Sequence, residues 1–328
     1  MRELPEELSR LATDQLGLLT RRQLRRGGVT DAVMRRAFGR EWQLVLPRVV
    51  ALFTGELTPD QRLTAGSLYA GPGALLTGPT AAELYGVTSD WVSAYPLHRF
   101  VVRPSQTDRS SGFVVVRRSE RSERHPRPLH GIRVVSAARA VGDAARVCRS
   151  PRDARQLAIS ALQSRVVSEQ QIYDEAIRGQ VQHGQALRQG VRDFAAGAWS
   201  IAEVDLQQLL ASSPVLPSAM YNPMLSTEGG AVLPTPDAWL DDVAAAIQLH
   251  SREYHGTEED WNHTVMQDGR LTEHGIVVIP VTPSRVRDDP AAVLRHVETT
   301  YLGLLDGRRR PTVVATERHH LDVLPEGR

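Results

Sequence analysis

Lysine is absent from this sequence: all 39 of its Lys or Arg positions are arginine. Arginine recognises phosphate well, but no lysine is available as a catalytic base or nucleophile to any mechanism. Cysteine occurs once, at Cys148, which excludes an internal disulfide and fits a reducing compartment. No apolar run approaches the ~20 residues a membrane span needs. The charged opening MRELPEELSR lacks the apolar core of a signal peptide. A cytoplasmic protein with no membrane partner is the expectation.

What is present points to several domains. The 328 residues exceed the roughly 150 typical of one domain, so two or three cores are expected. The net charge of +1 hides a split: residues 1–199 carry 29 Arg against 19 Asp and Glu, whereas residues 200–300 carry 5 Arg against 15 acids. The first part suits a polyanion. The second repels a phosphate backbone unless a metal intervenes.

At the N-terminus, EELSRLATDQ has Leu8 and Leu11 at helical spacing. Thr20 with Gln23 forms a capping box for a second helix that stops at Gly27 and Gly28. Thr30 caps a third, in which Val33, Met34 and Phe38 face inward while Arg35, Arg36 and Arg40 stay out. WQLVLPRVVALFTG is rich in β-formers and interrupted by Pro47, as a hairpin is. Three helices and a hairpin is the order of a winged helix, whose third helix enters the major groove. Eight arginines and two acids lie between Arg21 and Arg48. Arg21, Arg22, Arg35, Arg36, Arg40 and Arg48 are therefore the candidate DNA contacts, against the plainer reading of a small bundle with a solvated basic face. The stretch GLLTRRQLRRGGVTDAVMRRAFGREWQLVLPRVVALFTGELTPDQRLTAG resembles the N-terminal winged helix of AbiEi-type antitoxins of type IV toxin-antitoxin systems. Arg48 stands where that pattern has glycine. The resemblance implies duplex DNA as partner, a role in toxin-antitoxin or phage-defence biology, and a possible cognate toxin and homodimer.

In the middle segment, Thr80 and Glu83 suggest a capping box and a helix starting at Pro79 to Thr80. LHRFVVRP, SGFVVVRRS and HGIRVV read as strands, the last running into a helix. Helices follow at about 151–164, 168–179 and 184–196, the second opened by Ser168 and Gln171. No nucleophile, base and orienter cluster is visible. Loop arginines 117, 118, 121 and 124 could touch phosphate or simply be solvated. This stretch resembles the body of the same family.

The C-terminal segment opens with Ser200 and Glu203 as a capping box and Leu206, Leu209 and Leu210 as a buried stripe. TPDAWL and VAAAIQLH read as strands joined by a turn at Asp241 and Asp242. Period-two alternation puts Gln248 and His250 on one face. Thr257 caps a helix ending at His274 and stopped by Gly275. IVVIPVT is a buried strand, PAAVLRHVETTYLGLL a helix and PTVVAT a further strand. The whole reads as an α+β multidomain chain: a winged helix at 1–60, a mixed α/β middle region at 61–198 and an α/β domain with a mixed sheet at 199–328.

SIAEVDLQQLL, PDAWLDDVAAAIQLHSREYH and EDWNHTVMQDGRLTEHGIVVIPVTP resemble the Vsr-like, restriction-endonuclease-fold domains, whose pattern in this lineage is S..E..L..LL, PDAWWPEAGVAVEVDSREYH and EDWERTMARHARMTAHGILVLHFTP. Such domains hold divalent cations with carboxylates from the first helix and the two strands, and the metal activates water at the scissile phosphate. The resemblance carries Glu203, Asp237 and His255 over as matching site residues. Gln248 and His250 replace a glutamate and an aspartate. Two neutral groups in place of two carboxylates weaken a site for a hard cation, although Gln248 and His250 can still ligate softer ions. Two expectations follow. One is a DNA-binding regulator with an inactive nuclease-fold domain and no cofactor. The other is a Mg- or Mn-dependent endonuclease using Glu203, Asp237 and Gln248, with Asp237 and Gln248 as metal ligands and His250 and His255 nearby.

Overall fold

Threonine side chains cap the second and third helices. The computed structural model describes residues 4–123, 126–178, 182–250, 258–306 and 313–317. In it α1 (Glu6–Asp14), β1 (Leu18–Thr20), α2 (Arg21–Arg26) and α3 (Asp31–Ala37) precede the hairpin β2 (Gln43–Leu46) and β3 (Val49–Ala51). Thr20 Oγ1 accepts from the Gln23 N–H at 3.1 Å and Gln23 Oε1 accepts from the Thr20 N–H at 2.6 Å, which forms the expected box. Thr30 accepts from the Val33 N–H at 3.4 Å. Leu8, Leu24, Met34, Trp42 and Val50 close a core between the helices and the sheet. Strand β1 pairs antiparallel with β3, and β3 with β2, giving the order β1-β3-β2. β1 was not expected, because three residues are too few to display an alternation. The β2–β3 turn is Pro47-Arg48, with Arg48 at φ 70°.

The chain next forms α4 (Pro59–Ala70), β4 (Leu75–Thr77), α5 (Gly78–Leu84), α6 (Asp90–Ser93), β5 (His98–Val102), β6 (Arg109–Ser111), β7 (Val114–Arg118), β8 (Arg127–Leu129) and β9 (Ile132–Val134). These strands make one mixed sheet in the order β6-β7-β5-β4-β9-β8. Helices α7 (Ala137–Ala145), α8 (Pro151–Gln163), α9 (Glu169–Arg178) and α10 (Gly184–Ala195) follow. Gly66 of α4 lies so near Phe100 of β5 that a Cβ there would meet the ring at 2.8 Å. The expected helix start at Thr80 is corrected. Pro79 fits the first turn, so α5 already begins at Gly78, and the Thr80 hydroxyl lies 3.2 Å from His98 Nδ1 instead of capping. Cys148 is buried, and burial pushes its thiol up to about 11, so it packs as an apolar side chain.

The chain divides into two compact units, Met1–Arg188 and Gln189–Arg328. The second contains α11 (Ile201–Ala211), β10 (Met220–Tyr221), β11 (Met224–Thr227), β12 (Val232–Leu233), β13 (Ala238–Leu240), β14 (Ala245–Leu249), α12 (Glu258–Glu273), β15 (Val277–Val281), α13 (Pro283–Asp288), α14 (Pro290–Leu305) and β16 (Val313–Thr316). Its main sheet runs β10-β13-β14-β15, antiparallel at β13/β14 and parallel at β14/β15. Ala245 and Ile247 pack on Leu206, Leu210 and Val297, while Ala246 shares the opposite core with Trp239 and Leu271. Strand β15, expected to be buried, is half-buried at Val277 and Val278 and exposed at Pro280. It ends the sheet order, where proline is tolerated. Strand β16 belongs to a separate sheet, β12-β11-β16. The Thr257 cap lies outside the described residues. Both units are thus mixed α+β structures, and no helix among the described residues is long and apolar enough to cross a membrane.

Arg48 occupies the left-handed region that favours glycine. Arg48→Gly is expected to stabilise the first unit by about 0.5–1 kcal/mol, the strain of a side chain at positive φ outweighing the entropy glycine adds to the unfolded chain. A thermal melt showing an unchanged or lower midpoint would contradict this.

Candidate functional site

The carboxylates expected at the C-terminal site converge, each around its own hydrogen bonds. The Ser200 hydroxyl caps α11 by accepting from the Glu203 N–H at 3.1 Å. The Glu203 carboxylate turns inward, where its Oε2 accepts from the Trp199 N–H at 2.8 Å and from Asn222 Nδ2 at 2.7 Å. Asn222 sits in the bend between β10 and β11 at φ 49° and also donates to the Gly197 carbonyl at 2.9 Å. Asp237, just before β13, accepts from the Leu249 N–H at 2.6 Å and so ties the start of one strand to the end of its antiparallel neighbour.

Alternation along β14 holds in the structure. Gln248 is buried at 8% exposure, and His250, beyond the strand end, turns its Nε2 to within 2.9 Å of Asp268 Oδ2 on α12. Asp268 lies one turn before the buried Leu271, which puts it on the sheet-facing side of the helix. Asn222 and Asp268 are the two members of this cluster that sequence reading missed. The Asn-Pro dipeptide at 222 and the i, i+3 relation of Asp268 to an apolar residue were their only local signals. His255 lies outside the described residues. Asp241 and Asp242, read as turn residues, also hold side chains: Asp241 accepts from Trp239 Nε1 at 2.9 Å and Asp242 from the Tyr301 hydroxyl at 2.5 Å.

The electrostatics favour protons here. Burial, reinforced by the nearby Glu203 and Asp268 charges, pushes Asp237 up to about 7 against the opposing Leu249 N–H bond. Burial raises Glu203 despite its donors, and raises Asp268 despite His250. As disposed, these carboxyls are engaged with protein donors. Glu203, Asp237 and Asp268 each accept a protein hydrogen bond or face His250, and the residue between them in the strand is a neutral amide. Among the described residues no group of three or more His, Cys, Asp or Glu side chains is arranged to hold a metal ion.

The N-terminal arginines have a different disposition. Arg22, Arg35, Arg36, Arg40 and Arg48 are all exposed and make no ion pair among the described residues. Arg21 is half-buried, with its guanidinium 5.5 Å from the centre of the Phe38 ring, and so braces α2 against the end of α3. Arg25 is held by Asp31 through two bonds of 3.1 Å. Comparison with known proteins adds no relative: neither a family model nor a curated protein matches the chain.

A carboxyl whose proton affinity is raised on folding stabilises the fold at low pH and loses that contribution as pH rises through its folded value. For Asp237 the contribution is full below about pH 4, its ordinary value being 3.8, and is gone above about 7. Asp237→Asn keeps an acceptor for the Leu249 N–H and removes the titration. It should raise stability at pH 8 by on the order of 1–3 kcal/mol and narrow the difference between melts at pH 5 and pH 8. An unchanged difference would show that Asp237 is ionised throughout.

Proposed function

We propose that the protein is a DNA-binding regulator that grips duplex DNA with a winged helix formed by residues up to β3, and that its second unit is a nuclease-fold domain no longer built for cleavage. The observation that carries the reading is the order α1-β1-α2-α3-β2-β3 closed by the sheet β1-β3-β2. A winged helix needs that connection to present its third helix and its hairpin to one duplex. Five exposed arginines lie on α2, α3, the following turn and the hairpin tip, and none of them makes an ion pair among the described residues. Such contacts position a protein on phosphate and set its salt dependence. The resemblance to AbiEi-type antitoxins extends the reading to a toxin-antitoxin or phage-defence setting, with a cognate toxin or a second copy as further partners.

Support for an inactive second unit comes from its donors. In the Vsr-like pattern the position of His250 carries aspartate and that of Asp268 carries histidine. The acid and the imidazole are both kept with their places exchanged, which conserves a contact between strand and helix but moves negative charge off the strand.

Arg35→Ala combined with Arg36→Ala should weaken duplex binding about tenfold or more and lower the slope of log K against log[salt] by roughly one to two. Unchanged affinity and slope would remove the assignment. In parallel, plasmid DNA should stay intact with Mg²⁺ or Mn²⁺. Nicking that disappears in Asp237→Ala would establish instead the endonuclease reading with Glu203, Asp237 and Gln248.

A further inference from the structure

One face of the six-stranded sheet carries a cleft of about 160 Å³ lined by Arg99 of β5, Arg117 of β7 and Arg146 just after α7, with Arg118, the next residue of β7, at its edge. Its floor is Thr77 and Asp143, both buried. The register explains the convergence. Thr77 of β4 stands opposite Arg99, and the parallel pairing of β5 with β7 sets Arg117 beside Val101.

The carboxylates nearby do not balance this charge. Asp143 accepts from the Thr77 hydroxyl at 2.6 Å and is shared between Arg139, at 3.5 Å, and Arg146, at 3.7 Å. Asp108 is exposed and reaches Arg118 at 3.3 Å and Arg117 at 4.0 Å. Arg99 makes no ion pair among the described residues; its polar contact is the neutral Tyr95 hydroxyl at 3.5 Å. Arg99 thus brings to the cleft a guanidinium that no carboxylate among the described residues answers, and Asp143 is already shared with the buried Arg139, which also has Glu123 at 3.9 Å. Like charges gathered around a concavity focus a positive field into it and favour an anion there. Guanidinium forks match the oxygens of phosphate in particular. The volume limits what enters. At about 160 Å³ the cleft is smaller than the roughly 300 Å³ of sites that enclose a whole small ligand, so it takes one charged group of something larger.

We propose that this cleft is a phosphate-binding site, distinct from the arginines of α3 and the hairpin, that receives a phosphate of nucleic acid or of a free nucleotide. It does not depend on α3 binding DNA.

The test uses the full chain. Millimolar pyrophosphate should raise the thermal midpoint of the wild-type protein by about 2–4 °C over sodium chloride of equal ionic strength. Arg99→Gln with Arg146→Gln should lose that protection. Arg117→Gln with Arg118→Gln, at exposed positions on the rim, should reduce it even if the first pair of changes disturbs folding. If the phosphate belongs to nucleic acid, both variants also lower the salt slope of duplex binding by about one. If it belongs to a nucleotide, the slope is unchanged and a nucleoside monophosphate protects as pyrophosphate does. Absence of protection in the wild type together with an unchanged slope in both variants overturns the proposal, as does protection that persists undiminished in both. Loss of DNA binding in the Arg35/Arg36 variant with cleft protection intact, or the reverse, tells failure of one site from failure of the other.

Discussion

Two opposite charges inside the first unit organise it. Arg139 and Asp143, one turn apart on α7, are 3% and 8% exposed. Stripping a partner from such a pair costs about 3–5 kcal/mol, so the groups around it matter to the fold. Arg139 donates to the Arg121 carbonyl at 3.0 Å and the Ser119 hydroxyl at 2.8 Å, while Asp143 accepts a hydrogen bond from the Thr77 hydroxyl. Those contacts fix α7 against the end of β4 and the segment after β7. Arg121 passes the linkage on to Glu175 of α9. Glu175 can come that close because residue 142 is glycine: a Cβ there would stand 2.9 Å from Glu175 Oε2. The pair itself adds little net stability, and its hydrogen bonds tie α7 to β4 and to the segment after β7.

The second unit meets the same rule with the opposite sign. Glu203, Asp237 and Asp268 are gathered where His250 faces Asp268, and the donors to the other two include the neutral Asn222 and the backbone N–H groups of Trp199 and Leu249. Neutral donors do not offset burial, so the proton affinities rise. The first unit has guanidiniums in excess and is electrostatically prepared for an anion. The second has carboxyls in excess and takes protons. The asymmetry of 29 Arg against 19 acids before residue 200 and 5 against 15 over the next hundred thus reaches the buried clusters as well as the surface.

Local chemistry was the legible part of the sequence. The boxes at Thr20/Gln23 and Ser168/Gln171 form because cap and partner are three residues apart, and the alternation of β14 survives because each residue's face is set by its neighbours. What sequence reading missed depends on distant residues. Strands β4 and β6 have three residues each and lie beside the five-residue β5 and β7, and the three-residue β8 is held by pairing with β9. The helix over SAARAVGDAAR was plain, but its buried ion pair was not, since Arg139 and Asp143 look like any solvated i, i+4 pair until the sheet covers them. Thr80 looked like a cap because Glu83 follows it, yet Gly78 and Pro79 had already begun the helix. Of the C-terminal cluster, Glu203 and Asp237 could be named from resemblance, whereas Asn222 and Asp268 join it only through the fold.

The neutral residues at 248 and 250 change how that cluster holds together. With carboxylates at both positions, the strand would add two negative charges beside Glu203 and Asp237, and folding would need a cation to offset them. Gln248 is instead buried without a charge to desolvate, and His250 gives Asp268 a partner at 2.9 Å. A cation entering now would compete with a proton for Asp237 and would meet fewer negative charges on the strand. On the proposed reading, an amide and an imidazole therefore do more than remove ligands. They let the strand, the helix and the two remaining carboxyls close on protons and hydrogen bonds, so that the unit keeps its shape without metal while the first unit keeps its affinity for phosphate.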